Sequence, residues 1–236
     1  QGYGWEKGFE LITKLGANVR GFSAGASAIP KDVVTGQVIY GVAIDFYAYG
    51  QVAVLGDDKI KYVVPPDAAV VSPDSIAILK GAPNLEVAQR FIDFVLSDDA
   101  QKLWMLRDND PEGPKWKGGL NRASMLPGLY DKLGNRCVVP NPFARKLEPI
   151  RYDAAKGGER WDVVSDLIGV LVVDSHKALV SAWKTINQCQ DSKKREIAIK
   201  ILSQVPITEE AAMQMAQEEW KKQDYRNQQL KEWGTF

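Results

Sequence analysis

The sequence predicts an α/β fold, and two observations support this. Its first sixty residues alternate between segments with helical periodicity and segments rich in β-branched residues, joined by Gly-containing turns. The chain has 236 residues, of which 45% are hydrophobic. It is therefore long enough for one large domain or two small ones, each with a buried core.

The charge balance excludes some classes of partner. The chain carries 30 basic and 30 acidic residues, so its formal net charge is zero. Such a balance does not favour nucleic acid or an anionic membrane surface as a partner. We expect no transmembrane helix, because no apolar run approaches the length of a membrane span. We also see no signal peptide in the opening QGYGWEKGFE, which is typical of the start of a helix.

The first elements alternate in type. Apolar residues at spacings of three and four predict a first helix from Trp5 to Leu15, which Gly16 ends. A second helix has Ser27 as its N-cap and ends at Gly36. The β-branched run that follows predicts a strand over residues 38–44.

The rest of the chain mixes extended segments with helices. Strand-like segments are predicted at 61–64 and 75–79, and residues 107–160 are rich in loops. Helices are predicted at 85–96, 97–106, about 161–187, about 192–203 and, as one long polar helix, about 208–232. The core face of helix 85–96 is predicted to consist of Val87, Ala88, Phe91, Ile92 and Val95.

Cysteine and histidine give little evidence of a site. Cys137 and Cys189 belong to no metal-binding motif, so they are either unpaired thiols or, in an oxidising compartment, a disulfide. His176 is the one histidine of the chain. We therefore predict no metal site, no cofactor and no zinc cluster of the Cys/His kind.

Four stretches carry a resemblance to a known family. They resemble the C-terminal part of an extracellular solute-binding protein of an ABC importer, a type 2 periplasmic binding protein, closest to the iron(III) and phosphosugar branch. The similarity extends over about residues 2–187, and PDSIAILKGAPN is its most specific piece. The stretches are GVAIDFYA (41–48), PDSIAILKGAPN (73–84), FIDFVLS (91–97) and NRASMLPGLY (121–130).

The resemblance implies a two-lobed α/β fold of which the first half is absent. Residues 1–64 would be part of lobe two, and residues 65–190 would return to lobe one and add C-terminal helices. Residues 191–236 would form a helical extension. The implied partners are a small-molecule ligand, the membrane permease of an ABC transporter, and the missing N-terminal half or a second chain. The implied location is periplasmic or extracellular.

Asp45 and Tyr47 are the first candidates for ligand binding. Asp45 would lie at the end of strand 38–44, and two-lobed binders capture ligands with loop ends at such an edge. Its carboxylate could accept hydrogen bonds from sugar hydroxyls, and Tyr47 could donate one, offer its ring face or ligate a hard metal. Alternatively, Asp45 caps the following turn while Phe46, Tyr47 and Tyr49 pack between the lobes.

Two predicted helix starts and one turn supply further candidates. Tyr3 and Gly4 precede the first helix, and Ser23 and Ser27 precede the second. Free N–H groups at a helix start suit a phosphate or carboxylate, although Ser27 could equally be an ordinary N-cap. Asp67 follows the turn at Pro65 and Pro66, where it could bind ligand or shape the turn.

These observations favour a transport protein that binds a small polar, anionic, hydroxylated solute and has no catalytic residues. Iron(III) is an alternative ligand, but no adjacent tyrosine pair accompanies Asp45. A sensor or interaction module on the same fold is a second alternative, supported by the polar C-terminal helix. The sequence contains no nucleophile elbow, P-loop or metal-ligand cluster, so no motif in it indicates an enzyme.

Overall fold

The computed structural model describes residues 1–66, 69, 71–145 and 152–236. The chain divides into two compact units. The terminal unit comprises Gln1–Phe22 and Ile150–Phe236, and the central unit comprises Ser23–Pro149. Both are built from helices. In chain order these are α1 (Trp5–Asn18), α2 (Ala28–Val34), α3 (Asp45–Leu55), α4 (Leu85–Val95), α5 (Asp98–Met105), α6 (Pro127–Leu133), α7 (Ala154–Glu159), α8 (Trp161–Ile168), α9 (His176–Gln188), α10 (Ser192–Leu202), α11 (Glu209–Glu218) and α12 (Gln223–Gly234).

The predicted strands are absent from the described residues. The segments 38–44, 61–64 and 75–79 form no ladder, and the described part of the chain has a single isolated antiparallel bridge, between Leu106 and Cys137. β-Branched residues favour an extended chain, but a strand also needs a neighbour that pairs its N–H and C=O groups. The described residues supply no such neighbour, so their architecture is helical rather than α/β.

Most of the predicted helices are confirmed, with two corrections. α2, α4, α5 and α10 match their predicted positions to within about two residues, and the predicted helix 161–187 is present as α8, a π-helical segment (Gly169–Asp174) and α9. Gly16 does not end the first helix, which continues to Asn18. The predicted long helix 208–232 is two helices, α11 and α12. The chain turns between them at Trp220, whose buried ring stacks on Trp233 with centroids 5.2 Å apart.

The central unit is held together by a buried polar network beside its apolar core. Its core combines Tyr49 of α3, Met105 of α5 and three residues of α6 with Leu106 and Val139. Gln101 is fully buried; its Oε1 accepts from the Ser124 hydroxyl at 2.9 Å, and its Nε2 donates to the Val95 carbonyl at 2.8 Å. Each polar atom of the amide thus has a partner, as burial requires.

Tyr130 extends this network into α6. Its hydroxyl accepts from the Ser124 N–H at 2.7 Å and donates to the Ser124 carbonyl at 3.2 Å. Burial raises the pKa of the Tyr130 hydroxyl to about 12, because the low-dielectric surroundings disfavour the phenolate. The neutral phenol is therefore the form that the folded central unit requires.

The terminal unit depends on a close helix contact at Gly16. α1 packs against α9 and the π-helical segment. A Cβ added to Gly16 would lie 2.3 Å from Cγ1 of Val172, a buried residue of that segment. The absence of a side chain at Gly16 therefore permits this approach, which explains a glycine inside a helix.

One predicted core face is not covered by any of the described residues. α4 has a strongly amphipathic sequence, yet none of its residues is buried. Val87 is 66% exposed, Phe91 57% and Phe94 52%. The nearby extended segment is also open, since Leu79 is 81% exposed. Contiguous exposed apolar surface of this kind marks a place where another polypeptide can pack.

Gly16→Ala tests the contact between α1 and the π-helical segment. We expect the substitution to lower the free energy of unfolding by about 1–3 kcal/mol, because the new methyl group overpacks against Val172. Chemical denaturation measures this. Gly8→Ala is the matched control on the same helix, since nothing lies within 4 Å of its added Cβ. It should be neutral or stabilising by up to about 1 kcal/mol. Equal effects of the two changes would contradict the close contact.

Tyr130→Phe tests the buried network and has a defined pH dependence. At about pH 8 we expect a loss of roughly 1–3 kcal/mol in unfolding free energy, because the Ser124 N–H loses its partner. The unfolded phenol ionises near pH 10. The wild-type stabilisation by Tyr130 is therefore complete below about pH 10 and is lost as the pH rises towards 12.

The difference between wild type and Tyr130→Phe should accordingly shrink when denaturation is repeated at about pH 11. Tyr40→Phe is the control, because Tyr40 is 89% exposed. It should change stability little, and equally, at both pH values. A difference between wild type and Tyr130→Phe that stays constant with pH would contradict the raised pKa.

Candidate functional site

The predicted site residues are distributed over both units. Tyr3 and Gly4 belong to the terminal unit, whereas Ser23, Ser27, Asp45 and Tyr47 belong to the central unit. Asp67 lies outside the described residues.

In the terminal unit, Gly4 is the N-cap of α1. Its φ of 80° lies in the left-handed region that glycine adopts without strain, and no side chain caps this helix start. The Gly4 N–H donates to the Gln1 carbonyl at 3.2 Å, which closes a turn around the half-exposed Tyr3. The predicted helix start is thus present at the predicted residues.

Ser23 and Ser27 differ in their local role. The Ser23 hydroxyl donates to the Gly25 carbonyl at 3.0 Å and accepts from the Gly25 N–H at 3.3 Å, so it shapes its own turn. Ser27 is at the N-cap position of α2, as predicted. Its hydroxyl makes no capping bond, because its backbone is already helical (φ −75°, ψ −14°). α2 has only seven residues, so its start is a weak site for an anion.

Asp45 begins α3 instead of ending a strand. The extended Ile44 precedes it as N-cap, and the Asp45 Oδ1 accepts from the N–H of Phe46 at 2.8 Å. A carboxylate in the first turn is favourable there because the exposed N–H groups carry partial positive charge. The side chain is solvent-exposed. Asp45 is thus the first residue of α3, whose N-cap is Ile44, and no side chain caps this helix start.

The aromatic residues after Asp45 divide between surface and core. Tyr47 is 37% exposed, and its ring contacts that of Phe46 with centroids 4.4 Å apart. Tyr49 is buried, and its hydroxyl accepts from Nη2 of Arg145 at 2.5 Å. Its ring meets that of Tyr62 edge-on at 5.1 Å. Burial, the nearby Asp45 charge and Tyr49 together raise the pKa of Tyr62.

Sequence reasoning missed a basic residue beside the start of α3. The Arg122 guanidinium lies 3.7 Å from the centroid of the Phe46 ring, and its Nη1 donates to Oδ2 of Asp74 at 2.6 Å. Asn121 lies against the same helix, because its Nδ2 is 3.6 Å from where a Cβ of Gly50 would stand. The signal was available, since Arg122 belongs to the stretch NRASMLPGLY.

We call this cluster the α3 site. It offers two guanidinium groups, two exposed carboxylates and phenolic hydroxyls, a set that suits a small molecule with an anionic group and further hydrogen-bonding groups. Among the described residues, no group of three or more His, Cys, Asp or Glu side chains could hold a metal ion. The α3 site comprises Asp45, Phe46, Tyr47, Tyr49, Tyr62, Asp74, Arg122 and Arg145.

Two surface grooves are lined by other residues. An open groove of about 400 Å³ in the central unit is bordered by Tyr130, Asp131 and the segment 137–141. A smaller one of about 150 Å³ in the terminal unit is bordered by Trp220 and Arg226 among others. Neither is lined by a predicted site residue.

Cys137 and Cys189 are both free thiols, so the disulfide alternative is absent. Throughout the described part of the chain, no helix combines the length and the apolar character of a membrane span.

Comparisons with known proteins identify related sequences. The γ-aminobutyric acid-binding protein of Pseudomonas aeruginosa is 27% identical over 117 residues, which are 50% of this chain and 31% of that protein. An uncharacterized protein of Haemophilus influenzae is 24% identical over 182 residues, or 77% of this chain and 43% of that protein. The phosphoglycerate transport regulatory protein PgtC of Salmonella typhimurium is 27% identical over 100 residues, which are 42% of this chain and 24% of that protein.

The chain thus spans less than half the length of each of these relatives. No solved structure matches it significantly. The relatives support a solute-binding protein without indicating the iron(III) and phosphosugar branch. Residues 1–110, which include α1 to α5 and the start of the α3 site, match the family described as bacterial extracellular solute-binding protein.

Proposed function

We propose that this chain is part of the substrate-binding component of an ABC importer. In this role it captures a small polar solute, anionic and hydroxylated, in a cleft between two lobes and delivers it to a membrane permease. The match of residues 1–110 to the extracellular solute-binding family carries the proposal. The protein then acts in the periplasm or outside the cell, and it binds its ligand without chemical change.

The relatives and the α3 site support an anionic ligand. γ-Aminobutyric acid and phosphoglycerate, named for two relatives, both carry a carboxylate. The α3 site combines the guanidinium groups of Arg122 and Arg145 with the carboxylate of Asp45. Arginine is well suited to a carboxylate or phosphate because its fork can form two parallel hydrogen bonds. Asp45 accepts from a hydroxyl or ammonium group of the same ligand.

The two-lobed α/β fold belongs to the same proposal. In it, residues 1–64 contribute to lobe two, residues 65–190 return to lobe one, and 191–236 are an extension. The missing partner is an N-terminal half or a second chain that supplies strands. Two features support the need for this partner. The extended segment 75–79 is unpaired and could add to the edge of a sheet that the partner supplies, and the uncovered apolar face of α4 could then cover the face of that sheet.

A sensor on the same fold is a second candidate function. One relative is named a transport regulatory protein, and such a role requires ligand binding without delivery to a permease. Transport assays separate the two. Deletion of an importer component abolishes uptake, whereas loss of a sensor changes expression of the transporter and leaves uptake intact when the transporter is expressed independently.

Mass spectrometry of solute retained through native purification tests the proposed ligand class. We expect a small molecule with a carboxylate or phosphate to be released when the protein is denatured. Iron(III), the alternative ligand, would instead give a visible charge-transfer colour on addition to the protein, and this colour would be lost in Tyr47→Phe. An iron-bound protein without an organic solute would contradict the proposal.

Asp45→Ala tests the role of the exposed carboxylate. We expect about a 10- to 100-fold loss of affinity, because a hydrogen bond to a charged group contributes roughly 1.5–3 kcal/mol. Calorimetry with the retained solute measures it, and the melting temperature should change little. Asp57→Ala, which removes another exposed carboxylate of the central unit, should leave affinity unchanged. Unaltered binding by Asp45→Ala would reduce Asp45 to a first-turn residue of α3 with no part in ligand binding.

A further inference from the structure

We propose that Arg122 binds the anionic group, carboxylate or phosphate, of the solute. This inference rests on the proposed solute-binding function and assigns a named residue to ligand recognition. It is carried by the position of the Arg122 guanidinium, which lies on Phe46 in the first turn of α3, next to Asp45.

The position of Arg122 is fixed before any ligand arrives. The guanidinium lies 3.7 Å from the Phe46 ring centroid, a distance at which a cation is attracted to the ring face. The backbone N–H of Arg122 donates to the Trp104 carbonyl at 2.9 Å, which ties the residue to α5. Two residues further along the chain, Ser124 is part of the buried network around Gln101. A side chain held in this way loses little entropy on binding.

The guanidinium also keeps donors available. A guanidinium carries five N–H donors, and Asp74 accepts from Nη1 alone. The other Arg122 nitrogens therefore keep donors that can face a ligand. The Arg122 side chain is 34% exposed, and that of Asp74 is 81% exposed. An exposed ion pair of this kind contributes little to stability, so a ligand anion can bind beside Asp74 or displace it. Asp74 is therefore a competitor for the same cation.

The surroundings orient the ligand. The first-turn N–H groups of α3 favour negative charge near Phe46, and Arg122 adds a full positive charge at the same place. The Asp45 carboxylate, one residue earlier, repels a second anion and accepts from hydroxyl or ammonium groups. A solute with an anionic end and a donor end is therefore aligned between Arg122 and Asp45.

Calorimetry with three probes tests the assignment. 3-Phosphoglycerate carries a phosphate and a carboxylate, γ-aminobutyric acid carries a carboxylate as its one anionic group together with an ammonium group, and glycerol carries no charged group. If Arg122 recognises carboxylate, both anionic probes bind; if it requires phosphate, only 3-phosphoglycerate binds. Glycerol is expected not to bind in either case.

Variants then identify the residue. We expect Arg122→Ala to weaken binding of the anionic probe about 10- to 100-fold, and Arg122→Lys to weaken it less, because lysine retains the charge but lacks the fork. Asp74→Asn removes the competing carboxylate and should raise affinity up to about 5-fold. A purely structural Arg122 would not give this gain. Arg107→Ala, at another exposed arginine of the central unit, is the control and should bind as wild type.

The outcomes separate this inference from the proposed function. Wild-type binding that persists in Arg122→Ala, in a variant with unchanged circular dichroism, overturns the role of Arg122 and leaves solute binding intact. No binding of either anionic probe to wild type, together with no anionic solute retained in purification, overturns both. A loss in Arg122→Ala with no gain in Asp74→Asn contradicts the competition and assigns Arg122 to the structure of α3 instead.

Discussion

The buried amide of Gln101 is the interaction on which the central unit depends. It is fully enclosed, and its hydrogen bonds join the last turn of α4, the loop containing Ser124 and Met125, and, through Ser124, the hydroxyl of Tyr130 on α6. A buried amide with unsatisfied atoms would cost several kcal/mol, so the surrounding backbone can adopt few other positions. One polar side chain thereby fixes three segments relative to α5.

The hydrogen bonds of Gln101 also position part of the α3 site, because that part is adjacent in sequence to the loop containing Ser124. Asn121 and Arg122 immediately precede the loop that Gln101 holds, and they contact α3 at Gly50 and Phe46. The position of the Arg122 guanidinium thus follows from packing and hydrogen bonds that lie away from it. The position of the Asp45 carboxylate, by contrast, depends only on the first turn of α3. The α3 site therefore combines a locally determined carboxylate with a cation that the tertiary fold positions.

How far the sequence predicts this structure depends on how local each determinant is. α4 is predictable from its apolar spacing, and α5 from the Ser97 cap that directly precedes it, because both signals are local in sequence. The strands are not, since a β-branched segment such as 38–44 becomes a strand only when another segment pairs with it. The prediction that Gly16 ends α1 is wrong because glycine both ends helices and permits close packing, and only the contact with Val172 distinguishes the two roles.

The site shows the same division between local and tertiary determinants. Asp45 and Tyr47 stand out in the sequence as a carboxylate and a phenol that follow an apolar run, and both lie at the start of α3. The contact of Arg122 with Phe46, and its ion pair with Asp74 across 48 positions, are products of tertiary folding that no spacing rule reports. The hydrogen bond from Arg145 to the Tyr49 hydroxyl, across 96 positions, is a second case.

Amide hydrogen exchange, measured with and without saturating 3-phosphoglycerate or γ-aminobutyric acid, tests whether the ligand lies against the start of α3 and the Arg122 segment. Exchange should slow at residues 45–52 and 121–126 with the probe that binds, and it should stay unchanged at α10 in the terminal unit. Protection by a bound probe that leaves both of these segments unchanged would contradict this position of the ligand.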